Sequence, residues 1–263
     1  MLLTGWLWCL GGGMFAGLLA GLLGIGGGLV IVPLLIYLLP ILGVPQELVV
    51  QMAVATSLGT IVMTTMSSAR SHLRHGQVSF FWVRRLVPGL MVGAALGAWL
   101  ATIMNPAWLQ RILAVVLLLL AVRMLIPQRG GAPLTGVSKR LIALIASAMG
   151  SLSGLVGIGG GSLTVPLLQR LNVPIRQAIA VSSVGSLSIG VAGVLTYILL
   201  GQQHAATDSL FGYVHGPAWF AISITSIIFA PLGAHLTQKL PVTYLQRGFA
   251  VLLAVLSLKL VIG

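Results

Sequence analysis

No Asp, Glu, Lys or Arg precedes Glu47, and the next charge after it is Arg70. Further uncharged runs cover residues 86–110, 141–169, 177–207 and 209–238. A helix of about 20 residues crosses about 30 Å of hydrocarbon. Several of these runs can therefore span a bilayer, and the first is long enough to cross twice. With 58% of its 263 residues hydrophobic and 6% charged, and a mean hydropathy of +1.10, the chain has too little polar surface to enclose its apolar side chains in water. The composition predicts an all-α polytopic integral membrane protein, with the lipid bilayer as its first partner.

Fourteen Lys and Arg against two acids give a net charge of +12, which in a soluble protein would suggest nucleic acid. Here the cations cluster at the ends of apolar runs instead of on a solvated face with interleaved aromatics. The excess of cations in cytoplasmic loops of membrane proteins explains them better, and no nucleic-acid partner is expected. The single cysteine, Cys9, excludes an internal disulfide and a multi-cysteine metal site, and reads as a small apolar helix residue. Because the first cation is Arg70, the N-terminus lacks the basic start of a secretory signal peptide and is expected to be retained.

The string GIGGGLVIVPLL, Gly24 to Leu35, returns as GIGGGSLTVPLL, Gly157 to Leu168. Beyond it, Val44-Pro45 matches Val173-Pro174, Thr56-Ser57 matches Ser182-Ser183, and Gly97-Ala98 matches Gly233-Ala234. Leu109-Gln110-Arg111 recurs as Leu245-Gln246-Arg247, and Arg123 answers Lys259. Similarity sustained in this way marks a duplicated half. Each half reads as a glycine-broken helical hairpin followed by three helices. The first gives segments near 5–23, 28–42, 48–69, 85–104 and 106–126; the second gives 141–156, 161–171, 177–200, 216–238 and 241–262. The expected organisation is a first membrane repeat over 1–127, a cytoplasmic linker over 128–140 and a second repeat over 141–263.

Charge decides how the halves face. If both glycine hairpins return to their starting side, the halves are inverted and both termini lie outside. Twelve cations then fall on the cytoplasmic side and only Arg111 and Lys259 outside. If each hairpin crosses once, 12 against 2 becomes 9 against 5. Lys/Arg asymmetry favours two inverted repeats.

Glycine-rich backbone inside an apolar segment leaves N–H and C=O groups that lose several kcal/mol each in hydrocarbon unless protein or water satisfies them. Gly24, Gly26, Gly27 and Gly28, with Gly157, Gly159, Gly160 and Gly161, permit a sharp bend. The arm after each bend starts a new helix whose first amides have no partner and whose dipole is positive. A small anion is the ligand such ends fit, and inverted repeats bring two of them together near the membrane midplane. The competing reading is close helix packing through small residues. Thr56, Ser57, Ser182 and Ser183 are candidate hydroxyl donors to the anion, although Ser and Thr in membrane helices also bond their own backbone. Ser162 has no counterpart, since Leu29 stands opposite it in the repeat, so the site is expected to be asymmetric. Pro33 and Pro166 are expected to kink the second arms.

Both acids are predicted at the outer face, which weighs against a carboxylate proton relay and a divalent-cation site. No metal and no cofactor is expected. Arg70 and His72, with Arg74 and His75, are read as a basic cytoplasmic loop with a gate or anion funnel as its sharper role. His235 is the histidine best placed to couple a proton; whether a proton or a cation is coupled stays open. His204 and His215 make a poor metal pair. An intramembrane serine protease, suggested by Gly150-Ser151-Leu152-Ser153-Gly154 with His235, lacks the local spacing for that chemistry, and the chain is not expected to be an enzyme.

The twin GIGGGxxxVPLL strings, one in each half of a chain of this size, resemble the sulfite exporter (TauE/SafE) family of bacterial membrane permeases. The resemblance covers essentially the full length. It implies an inner-membrane carrier, expected to be an exporter, of small anions such as sulfite, sulfonates or related organosulfur acids. Its central glycine loops map onto Gly24 to Gly28 and Gly157 to Gly161. A passive anion channel, or a carrier of a non-sulfur organic acid, is the alternative. The inverted arrangement places the N-terminus outside, so an N-terminal tag should react with impermeant reagent in intact cells; protection of that tag until lysis would overturn it.

Overall fold

The computed structural model describes residues 2–23, 27–126, 137–202, 210–237 and 242–262. Among the described residues ten helices run in chain order: α1 (Leu2–Leu23), α2 (Gly28–Ile41), α3 (Gln46–Arg74), α4 (Phe80–Ile103), α5 (Pro106–Leu125), α6 (Lys139–Val156), α7 (Gly161–Arg170), α8 (Ile175–Leu200), α9 (Gly216–Thr237) and α10 (Val242–Ile262). Among the described residues six of them, α3, α4, α5, α6, α8 and α9, are long and apolar enough to cross a membrane. The chain is an all-α polytopic membrane protein.

Local chemistry sets most boundaries. Asn105 accepts a hydrogen bond from the Ala107 amide at 2.9 Å, and Pro106 opens α5. Ser138 caps α6 through the Leu141 amide at 3.2 Å. These are the preferred residue types at those positions. The duplicated strings adopt one geometry twice. Gly27 and Gly160 precede α2 and α7 with φ, ψ of −62°, −10° and −59°, −12°. Gly43 and Asn172 end the same arms in the left-handed region, at φ +87° and +60°, and the next residues, Val44 and Val173, each donate to a helix carbonyl at 3.0 Å. Pro33 and Pro166 lie inside α2 and α7, which continue through them.

Helices of one half pack on helices of the other. α1 runs beside α9 in the same direction, Gly13 against Ile222 and Thr225 and Gly17 against Ser226, and the Ser226 hydroxyl donates to Gly13 O at 3.1 Å. The equivalent pair is α4 with α6, where Gly89, Gly93 and Gly97 meet the backbone of Ala143, Ser147 and Ser151, and Gly150 and Gly154 meet that of Leu90 and Ala94. Small residues four apart allow such backbone-to-backbone approach in membranes. Equivalent helices instead run antiparallel. On α3 and α8, Gly193 contacts Leu58 and Gly190 contacts Val62, while Ser183 reaches Ser68. On α5 and α10, Gln110 donates to Leu260 O at 2.9 Å and Ser257 to Ala114 O at 2.8 Å. α3 is the centre of the bundle, with every residue from Val49 to Ile61 buried.

Two expectations change. The segment around Arg70, His72 and Arg74 is not a loop: α3 continues through Arg74, because no helix breaker precedes Gly76, which takes φ +64°. The helix closes there through Gln77 N–H to His72 O at 3.1 Å. The connection before α9 also contains a short antiparallel hairpin, β1 (Leu210–Phe211) and β2 (Val214–His215). It turns at Gly212, φ +59°, whose missing side chain lets Ile198 of α8 approach. Backbone entering an apolar bundle must pair its polar groups, and this hairpin does so locally.

The α4–α6 contact yields a stability expectation. Gly97→Leu would drive a side chain into the Ser151 backbone, lowering stability by about 1–3 kcal/mol. Gly248→Ala, with open space around it, should be neutral or slightly stabilising. Thermal unfolding in detergent measures both.

Candidate anion site at the glycine turns

α6 ends at Gly157, whose left-handed φ of +74° suits glycine. The amides of Gly157 and Ile158 both donate to Ser153 O, at 2.9 and 3.2 Å. The opposing bend lies directly against this one: a Cβ on Gly28, the first residue of α2, would stand 2.6 Å from Gly157 O and 3.2 Å from Ile158 Cα. Ser57 on α3 donates its hydroxyl to the same Gly157 O at 2.9 Å. The carbonyl that a glycine turn would leave bare in hydrocarbon is therefore satisfied by the other half of the chain.

Beside this junction is a cavity of about 200 Å³ between α5 and the α6–α7 hairpin. Its walls are mostly apolar, including Val116, Leu120 and Leu163, and its polar lining is Arg123, Ser153 and Ser162. Ser153 is 1% exposed. The hydroxyl oxygens of Ser153 and Ser162 are buried with no hydrogen-bond partner among the described residues. Gly161 and Ser162 open α7, so their amides have no acceptor in their own helix and sit at its positive end. Val116, Leu120 and Arg123 lie on one face of α5 by their helical spacing, which brings the guanidinium to that hairpin. Hydroxyls, free amides and a permanent cation are the donor set for an oxyanion, while the leucines and valine suit a carbon skeleton.

The other sequence-predicted residues distribute unevenly. Gly24 and Gly26 lie outside the described residues. Gly27, Gly28, Gly159 and Gly160 are buried in the two turns, and Gly161 and Ser162 are half-buried. Thr56 is fully buried and accepts the His215 amide at 3.0 Å. Ser182 is buried on α8; Ser183 donates to Ile179 O at 3.0 Å within α8 and lies 3.3 Å from Ser68. Arg70 is exposed. His72 Nδ1 is 2.8 Å from Gln77 Oε1 at the end of α3, and His235 is exposed near the end of α9. Arg70, His72 and His235 do not line the cavity. His204 lies outside the described residues, and His215 caps α9 by accepting the Ala218 amide at its Nδ1, 3.2 Å away.

Two cavity residues escaped the sequence reading. Arg123 served there only as a repeat match and one of the cations that set topology, and Ser153 only as part of a protease pattern; its hydroxyl has no hydrogen-bond partner among the described residues. A signal for Arg123 did exist. Its repeat equivalent, Lys259, lies 4.5 Å over the Tyr37 ring of α2, so each half turns one cation towards the second arm of a hairpin.

A family described as sulfite exporter TauE/SafE matches residues 9–260. The chain belongs to that family. It is 36% identical over 254 residues to a "Probable membrane transporter protein" of Haemophilus influenzae, covering 96% of each chain. A protein with the same description from Methanocaldococcus jannaschii is 26% identical, with 94% of this chain and 91% of that one covered. Another from Bacillus subtilis, YunE, is 25% identical, with 95% and 94% covered. No solved structure matches. The chain is thus a multi-pass membrane protein of a transporter family.

The turn contact is open to mutation. Gly28→Ala forces a methyl onto the Gly157 carbonyl, whereas at Gly160 the nearest atom is the mobile end of Ile189. Gly28→Ala should therefore lower the melting temperature well beyond Gly160→Ala. Ser57→Ala should cost about 1–3 kcal/mol, because it leaves a buried carbonyl unpaired. Equal melting of all three variants and wild type would rule out the contact.

Proposed function

We propose that this protein is a carrier, working as an exporter, of a small anion such as sulfite, a sulfonate or a related organosulfur acid. The site lies at the second glycine turn, and the chain performs no catalysis. The observation that carries the reading is the cavity in which the Ser153 and Ser162 hydroxyls stand buried and unpartnered beside the positive end of α7 and Arg123. The family description names sulfite, and the apolar walls favour an anion with a short carbon tail.

Alternating access around the junction of the turns is the proposed mechanism, with repeats 1–127 and 141–263 inverted about it and joined by the linker 128–140. The antiparallel course of α3 with α8 and of α5 with α10 supports inversion, because equivalent helices then point opposite ways. The two hairpins also differ in exposure: ten of the fourteen residues of α2 are buried, against two of the ten in α7. Halves of one sequence design held in different states are what a two-state carrier presents. In this reading the termini lie outside a bacterial inner membrane, and the cations gather on the cytoplasmic side.

Hydrogen bonds to a charged group are worth about 1.5–3 kcal/mol. Arg123→Gln and Ser162→Ala should each slow sulfonate or sulfite flux in proteoliposomes roughly ten- to a hundredfold, with Arg123→Lys falling between. The same variants should lose the thermal stabilisation that the anion gives wild type. Unchanged flux in both variants would sink the assignment.

A further inference from the structure

α4 and α6 begin at the same end of the bundle, and between their starts lies a depression of about 670 Å³ lined by Phe80, Phe81, Arg84, Arg85 and Lys139. Its electrostatics are unfavourable for the protein alone. Helix starts carry positive dipole ends, neither helix has an acid in its first turn, and Ser79 gives α4 no side-chain cap. Three cations added there repel both the dipoles and one another. The chain has only two acidic side chains. Glu47 opens α3 at the opposite end of the bundle, and Asp208, outside the described residues, follows α8 in sequence, whose last turn is also at that opposite end. The compensating anion must come from outside the chain.

The surroundings indicate which anion. Phe80 and Phe81 are 62% and 56% exposed, and the Arg85 guanidinium lies 3.9 Å over the Phe81 ring and 5.8 Å from that of Trp82. Aromatic rings and long cations at a helix end occupy the headgroup layer of a bilayer. On the face of α4 that carries Phe81, Val92 and Trp99 further along the helix are also exposed by their helical spacing, giving acyl chains an apolar path from the same depression.

We propose that this depression binds an anionic phospholipid, its phosphate held by Arg84, Arg85 and Lys139 and its acyl chains laid along α4. The assignment is independent of the transported substrate. Native mass spectrometry of the purified protein, titrated with phosphatidylglycerol or phosphatidylcholine, tests it. Each cation contributes roughly fivefold to the affinity for an anionic headgroup. The combined Arg84→Gln, Arg85→Gln, Lys139→Gln variant should bind phosphatidylglycerol about a hundredfold more weakly, while Arg111→Gln, at the far end of the bundle, leaves binding unchanged. Should the triple variant not fold, Arg84→Gln with Lys139→Gln keeps the Arg85 stack and should weaken binding roughly 25-fold. Equal retention of both lipids, undiminished phosphatidylglycerol binding in either variant, or displacement of the lipid by millimolar inorganic phosphate would overturn the proposal; the last would mark a site for free phosphate.

Discussion

A bend inside an apolar helical bundle leaves backbone groups that the protein itself must pair, and the Gly157 carbonyl is where this chain meets that constraint. Ser57 supplies the hydrogen bond from the other half, and Gly28 supplies the absence of a side chain that lets the opposing turn come close. Neither half can make its hairpin comfortably alone. The requirement that buried peptide groups be paired thus ties the two halves together at the point where the proposed anion site lies.

The same interdependence runs outward through the bundle. The first arm of each hairpin packs on the fourth helix of the opposite half, α1 on α9 and α6 on α4, through glycines that bring backbones into contact. Such pairs act as rigid units, since there is no compressible side-chain layer between them. Helices α2 and α7, by contrast, differ widely in burial. A carrier needs firm elements against which a site can be exposed on alternate sides, and this division provides them.

Charge is used sparingly and with position. Arg123 reaches the cavity, Lys259 lies on Tyr37, and the cations at the starts of α4 and α6 face outward beside exposed aromatics. With only two acidic side chains in the sequence, these cations lie against rings, helix ends and open cavities among the described residues. The two proposed partners, substrate and lipid, are themselves negative.

The helical order was legible in the sequence, because long uncharged runs and local stop signals act over a few residues. α2 and α9 end one residue from where they were predicted, and Val44-Pro45, Val173-Pro174 and Asn105-Pro106 set starts that no distant contact overrides. The extension of α3 past Arg70 was missed because polar residues look like a loop, although nothing there breaks a helix. Only the tertiary structure decided that the Ser57 hydroxyl serves a carbonyl one hundred residues away, and that Arg123 and Ser162 share a cavity. Hydropathy and capping are properties of neighbouring residues, whereas who satisfies a buried donor depends on which helices lie side by side, and that is settled by packing.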